Sequence, residues 1–225
     1  MYLQLTRQTT DDLFFVYTII KAYVKNFNKR MVVYMNSQNE KVKTMTIAGL
    51  LCALGILIPM FAPKLVLEPA SFTLASHVPV FISMFISVPV AISVALITGF
   101  GFLFAGYPII VVLRALTHLI FATIGAYILS KHKNILNNRK TAFLFSLSIG
   151  IIHAIGEIIV VTLFYWGGSI TELYYQQGYL ISVLVLVGIG TVVHSMIDLG
   201  IAIFVWKPIQ KVIPVSANVR LKNTI

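Results

Sequence analysis

The sequence predicts an all-α integral membrane protein with six transmembrane helices and both termini in the cytoplasm. Three observations carry that reading. Of the 225 residues, 58% are hydrophobic and 11% charged, and the mean hydropathy is +0.91, outside the range of soluble domains. A spanning helix needs about 20 mostly apolar residues, and the chain from residue 45 onward has room for six. The basic residues are also sorted by side. The N-terminal segment holds seven Lys and Arg, Lys131 to Lys140 four and the tail from Lys207 four, whereas the connections on the other side hold Lys64 alone. That asymmetry puts both termini in the cytoplasm of a multi-pass plasma-membrane protein.

The elements follow in order. Residues 1–44 read as a cytoplasmic extension. Its run LFFVYTII (Leu13 to Ile20) is too short to span and no small-residue cleavage site follows it. With Lys21, Lys25, Lys29 and Arg30 behind it, 13–30 reads as an interfacial amphipathic segment or as a non-native extension from an early start codon. The membrane domain covers 45–210. Span one runs over about 46–62, and the Pro-broken connection PKLVLEPASFT follows it. Span two (about 74–87) is short and carries His77 and Pro79. Pro89 opens span three (about 89–105) as a first-turn proline can. Span four covers about 107–130, span five about 141–166, GGSITELYYQQG is a loop, and span six covers about 179–206. Residues 211–225 are a cytoplasmic tail. The net charge of +10 reflects this topology; the bases form no folded face for nucleic acid, and no such partner is expected. The single Cys52 excludes an internal disulfide.

Three segments place ionisable groups four residues apart within apolar surroundings: Arg114 and His118, His153 and Glu157, His194 and Asp198. A charge at the bilayer centre costs about 2.5–3.5 kcal/mol on insertion scales, and Arg114 cannot escape by losing its proton. Arg114 and Glu157 stand at similar depths, each counted from the outer end of its span. Two roles are therefore open: an internal ion pair locking two helices, or reception of an anionic ligand by the guanidinium fork, which matches a carboxylate. His77 lies at a similar depth in SFTLASHVP, with Ser71, Thr73 and Ser76 adding hydroxyls. His194 and Asp198 count to the inner half of span six, where an Asp–His bond along one helix face is the expected role. The intramembrane His fall on four different spans without H-x-x-H or C-x-x-C, so neither metal nor cofactor is expected. No G-x-x-x-x-G-K-[ST] is present, so this chain has no P-loop and no enzymatic use of ATP is expected. In span one, Ala48 with Cys52 and Gly49 with Ala53 make small-xxx-small pairs that permit close helix contact.

Six spans, a small-xxx-small first helix, a structured first connection and no nucleotide motif resemble the substrate-binding S-components of energy-coupling-factor (ECF) vitamin transporters. PASFTLASHVPVFISMFISVPVA and RALTHLIFA are most similar to the niacin-specific branch, over roughly residues 45–210. The resemblance implies a subunit that captures niacin outside and docks on a transmembrane coupling subunit driven by two cytoplasmic ATPases. It implies docking through span one, with Ala48/Cys52 or Gly49/Ala53 as the two candidate registers. It also implies a site in the outer half, which matches Arg114, His118 and Glu157 and leaves Asp198 outside. Nicotinate, a small aromatic carboxylate, suits a guanidinium receiver; His118, His153, His77 or a protonated Glu157 would bond its ring nitrogen. Ser76 stands beside His77, and Phe121, Tyr107 or Trp166 would stack on the ring. Rival readings are an S-component for a folate or a pyridoxine-like compound, a His-rich intramembrane metal or haem protein, and a self-sufficient channel or carrier.

Overall fold

The computed structural model describes residues 2–67, 70–212 and 215–222. The chain divides into two compact units, Met1–Lys43 and Thr44–Ile225. The first unit is helical, part of α1 (Tyr2–Phe61), with Lys25, Lys29 and Arg30 exposed. The amphipathic face expected over 13–30 falls largely on side chains outside the described residues.

The second unit is a helical bundle with one small hairpin. Residues 44–61 of α1 lead into β1 (Lys64–Leu67) and β2 (Ala70–Thr73), paired antiparallel with Lys64 opposite Thr73. There follow α2 (Val78–Ile86), α3 (Val88–Phe104), α4 (Ile109–Lys131), α5 (Arg139–Trp166), α6 (Glu172–Tyr179) and α7 (Gly190–Val212). Among the described residues, four helices are long and apolar enough to cross a membrane: Lys25–Phe61, Ile109–Lys131, Arg139–Trp166 and Glu172–Val212. Val88–Phe104 is a shorter apolar helix. The outward side chains are apolar too: Phe104, Ile155, Phe204 and Leu163 are all exposed, as expected of a surface solvated by lipid.

Span two is where the helix differs most from the sequence expectation. The nine residues of α2 extend about 13 Å at 1.5 Å per residue, under half of the hydrocarbon thickness. The hairpin and the turn 74–77 occupy the rest of that stretch. All nine residues are buried, because α2 lies between α3, α4 and α7 as the centre of the core around Phe81, Met84 and Phe85. Ser87 ends α2 in extended conformation and caps α3, its hydroxyl accepting from Val90 N–H at 3.4 Å.

The stretch expected as a loop before span six contains α6. Gly178, at φ 75 and ψ 160, breaks the helical path in a region only glycine enters freely. Leu180–Ile189 then winds as a π-helix, with Gly190 N–H donating to Val185 C=O. Wide winding of this kind is rare at such length and concentrates at functional sites.

The tail after α7 is an ordered strap. Val219 N–H donates to Phe85 C=O and Asn218 N–H to Ile86 C=O, both at 3.1 Å. Trp206 Nε1 donates to Val219 C=O at 3.2 Å, and Lys222 N–H to Asn137 Oδ1 at 2.9 Å. The strap thus joins the α2–α3 turn, the α4–α5 connection and the end of α7, with Val215, Val219 and Leu221 buried.

Candidate ligand-binding site

The second unit contains a cavity of about 170 Å³ between the hairpin, the turn before α2, and α3, α4, α5 and α7. Of the residues expected from sequence, Ser76, His77, Tyr107, Arg114, His118, His153 and Glu157 line it. Helical periodicity explains part of this: Arg114 with His118, and His153 with Glu157, each share a face one turn apart.

Arg114 donates from Nη2 to Glu157 Oε2 at 2.8 Å, and the same oxygen accepts from Thr191 Oγ1 of α7 at 2.7 Å. The carboxylate so joins three helices. Arg114 Nε is buried and has no hydrogen-bond partner among the described residues. His153 Nε2 stands 3.5 Å from Glu157 Oε1, beyond a good hydrogen bond, and both of its ring nitrogens are unpartnered among the described residues. Leaving a buried donor or acceptor unmade costs about 1–3 kcal/mol, so residues lining the cavity hold buried polar atoms that are unsatisfied among the described residues.

The opposite wall turns on Asp198. Fully buried, its carboxylate accepts from Ala75 N–H at 2.8 Å and from His77 N–H at 2.9 Å, and His77 Nδ1 lies 3.0 Å from Oδ2. Ala75 sits at φ 63, a conformation that costs a non-glycine residue about 1–3 kcal/mol; the bond from its N–H to Asp198 holds the turn there. Ser76 Oγ lies 3.2 Å from His77 Nδ1 and 3.1 Å from His194 Nε2. Asp198 does not itself line the cavity; it braces from behind the turn that carries Ser76 and His77. The contact between His194 and Asp198 is slight: His194 Nε2 is 3.4 Å from Asp198 Oδ2, while His77 takes the shorter bond.

The four intramembrane imidazoles, expected on separate spans, converge. The His77 ring centroid lies 4.7 Å from those of His118 and His153 and 4.9 Å from that of His194. Ring nitrogens of His77, His118 and His153 lie within 4.8 Å of one another, a spacing that could hold a metal ion. Phe121 is fully buried and packs beneath this cluster, 4.6 Å from the His153 ring; it does not line the cavity. Trp166 stands elsewhere, exposed and stacked on Tyr179 at 5.4 Å, because it ends α5 at the interfacial aromatic cluster. The aromatic wall is instead Phe72 of β2 and Phe102 of α3, the latter stacked on Tyr107 at 4.7 Å. Sequence reasoning missed both, since an isolated Phe in an apolar run carries no signal of facing a cavity.

In α1, Cys52 is buried in the core and Ala48 packs against it. Gly49 and Ala53 are exposed, with open space where a Gly49 Cβ would stand.

Over 190 residues the chain is 40% identical to the "Niacin transporter NiaX" of Lactococcus lactis subsp. cremoris (strain MG1363), covering 84% of each chain. The chain belongs to the NiaX family. It is accordingly a membrane transport protein, multi-pass in the plasma membrane, as its apolar helices require. The 190 matched residues exceed the 181 that follow position 44, so the likeness to NiaX reaches into the N-terminal segment. No protein-family profile matches the chain, and neither does any solved structure.

Proposed function

We propose that this NiaX-family chain is the substrate-capture subunit of a niacin importer, binding nicotinate from outside in the cavity around Arg114. The carrying observation is Arg114 itself, held by Glu157 and lining a cavity sized for one ring, with its Nε unpartnered among the described residues. A cavity of about 150 Å³ takes up benzene, so about 170 Å³ suits the single ring of nicotinate. The relative's name, a niacin transporter, supports the same ligand. In this reading the substrate carboxylate accepts from Arg114, which keeps one nitrogen on Glu157, and the ring lies against Phe102 and Tyr107.

The chain crosses the membrane six times in this proposal, the hairpin and α2 together making the second passage, with both termini cytoplasmic. The basic asymmetry supports that orientation. So does the strap, which ties the α2–α3 turn, the α4–α5 connection and the tail together at one end of the bundle. Energy comes from partners, a transmembrane coupling subunit and two cytoplasmic ATPases, since this chain has no P-loop. Docking uses the exposed Gly49/Ala53 register of α1.

Calorimetry on the purified protein tests the ligand. Nicotinate should bind more tightly than nicotinamide, and folate should not bind. Tight folate binding, or no nicotinate binding, would overturn the proposal.

A further inference from the structure

We propose that His77, His118 and His153 form a three-imidazole site for one divalent transition-metal ion of the zinc, cobalt and nickel type. Its open coordination position faces the cavity and takes the pyridine nitrogen of the substrate. The metal site stands on this structure alone; the substrate half rests on the nicotinate reading.

The geometry comes first. The three rings are buried, and one nitrogen from each lies within 4.8 Å of the others. Nitrogens bound about 2.1 Å from an ion stand about 3.4 Å apart at a tetrahedral angle, which small rotations of the imidazoles would reach. His153, 1% exposed, has neither ring nitrogen satisfied among the described residues. His77 is oriented as a metal ligand would be. Its Nδ1 stands 3.0 Å from the Asp198 carboxylate, which can only accept, so the neutral ring carries its lone pair on Nε2. A carboxylate fixing the far nitrogen in this way is the usual outer-shell partner of a ligating imidazole.

The charged groups around the cavity are the buried carboxylates of Glu157 and Asp198, the part-exposed guanidinium of Arg114 and the exposed Lys64. These charges balance, so a divalent ion of the zinc, cobalt or nickel type would be held by the imidazoles and not by excess negative charge. Imidazole is a preferred ligand of these ions, and three of them leave a fourth position for a further ligand. A pyridine nitrogen is an aromatic donor of the same class as imidazole. One nicotinate could thus place its nitrogen on the ion and its carboxylate on Arg114.

Cobalt(II) titrated into the chelator-washed full-length protein in detergent tests this. One ion per chain should bind, with the visible absorption of a low-coordinate cobalt–imidazole site. His118→Ala and His153→Ala should lose that absorption, and exposed His132→Ala should keep it. Asp198→Asn should weaken cobalt binding about 10–100-fold. Nicotinate should shift the bands, whereas benzoate, which keeps the ring and carboxylate without the nitrogen, should not. Absence of cobalt binding by the folded wild-type protein overturns the proposal. Nicotinate affinity unchanged by chelator, with cobalt bands that ignore it, overturns the metal's role and leaves the niacin reading intact. Cobalt binding without nicotinate binding in any state supports the metal site and removes the niacin reading.

Discussion

Arg114 divides its guanidinium between a fixed partner and an open cavity. With Nη2 on Glu157 at 2.8 Å and Nε unpartnered among the described residues, it serves the fold and has capacity left for a ligand. A hydrogen bond to a charged group is worth about 1.5–3 kcal/mol. Arg114→Lys, which loses the planar fork, should therefore weaken nicotinate binding roughly tenfold or more, and Arg114→Ala further, while nicotinamide loses less; calorimetry on the variants checks this. If Arg114 served only as Glu157's partner, Arg114→Ala/Glu157→Ala would restore binding that Arg114→Ala had lost. Asp198 makes a separate case. Its replacement by Ala strands the buried N–H of His77, about 1–3 kcal/mol, and the part-buried N–H of Ala75, and releases the strained turn. Asp198→Ala should lower the thermal midpoint by several degrees and abolish binding; an unchanged midpoint would show that the turn needs no such clamp.

Two helices carry their function in how they are turned. The small pairs of α1 look equivalent in sequence, yet Cys52 packs in the core while Gly49 and Ala53 face outward. Gly49→Leu and Ala53→Leu should leave nicotinate affinity unchanged and reduce uptake in cells carrying the whole transporter, because a bulky face prevents close helix approach. Normal uptake by both variants would place docking elsewhere. Cys52→Leu should instead destabilise by about 1–3 kcal/mol through overpacking, visible in the thermal midpoint without any partner present. The stretch entering α7 has the other decisive turn. A Cβ at Gly190 would stand 2.5 Å from Phe72 Cζ, so the hairpin's aromatic closes on the cavity only where α7 has no side chain.

Across the whole molecule, α2 separates two functions. Its first turn meets the cavity at Val80, next to the preceding His77, and its last meets the strap at Phe85 and Ile86. Truncation after Val212 removes buried Val215, Val219 and Leu221, each worth about 1.5–3 kcal/mol when fully buried. The truncated protein should melt at a lower temperature and bind nicotinate with unchanged affinity at 25 °C. A loss of affinity without a loss of stability would mean the strap communicates with the cavity. For topology, a reporter fused after Ile225 should be active only inside the cell.

Hydropathy, charge sorting and helix punctuation are local properties that add along the chain, so the sequence alone determined the membrane class, the helical character and the rough limits of most helices. It also determined that Arg114 needs a partner or a polar cavity, because the cost of an unpaired charge in lipid does not depend on the fold. What it left open were rotations and depths. Whether Cys52 or Gly49 faces outward, whether Trp166 reaches the cavity, and whether four His on four separate segments meet are decided by how each segment is turned against the others, which only mutual packing sets. Asp198 meets the turn before α2 only because α7 packs against α2. The tertiary structure made those choices, and with them it gathered His77, His118, His153 and Glu157 around one cavity, with Asp198 bonded to His77 behind it.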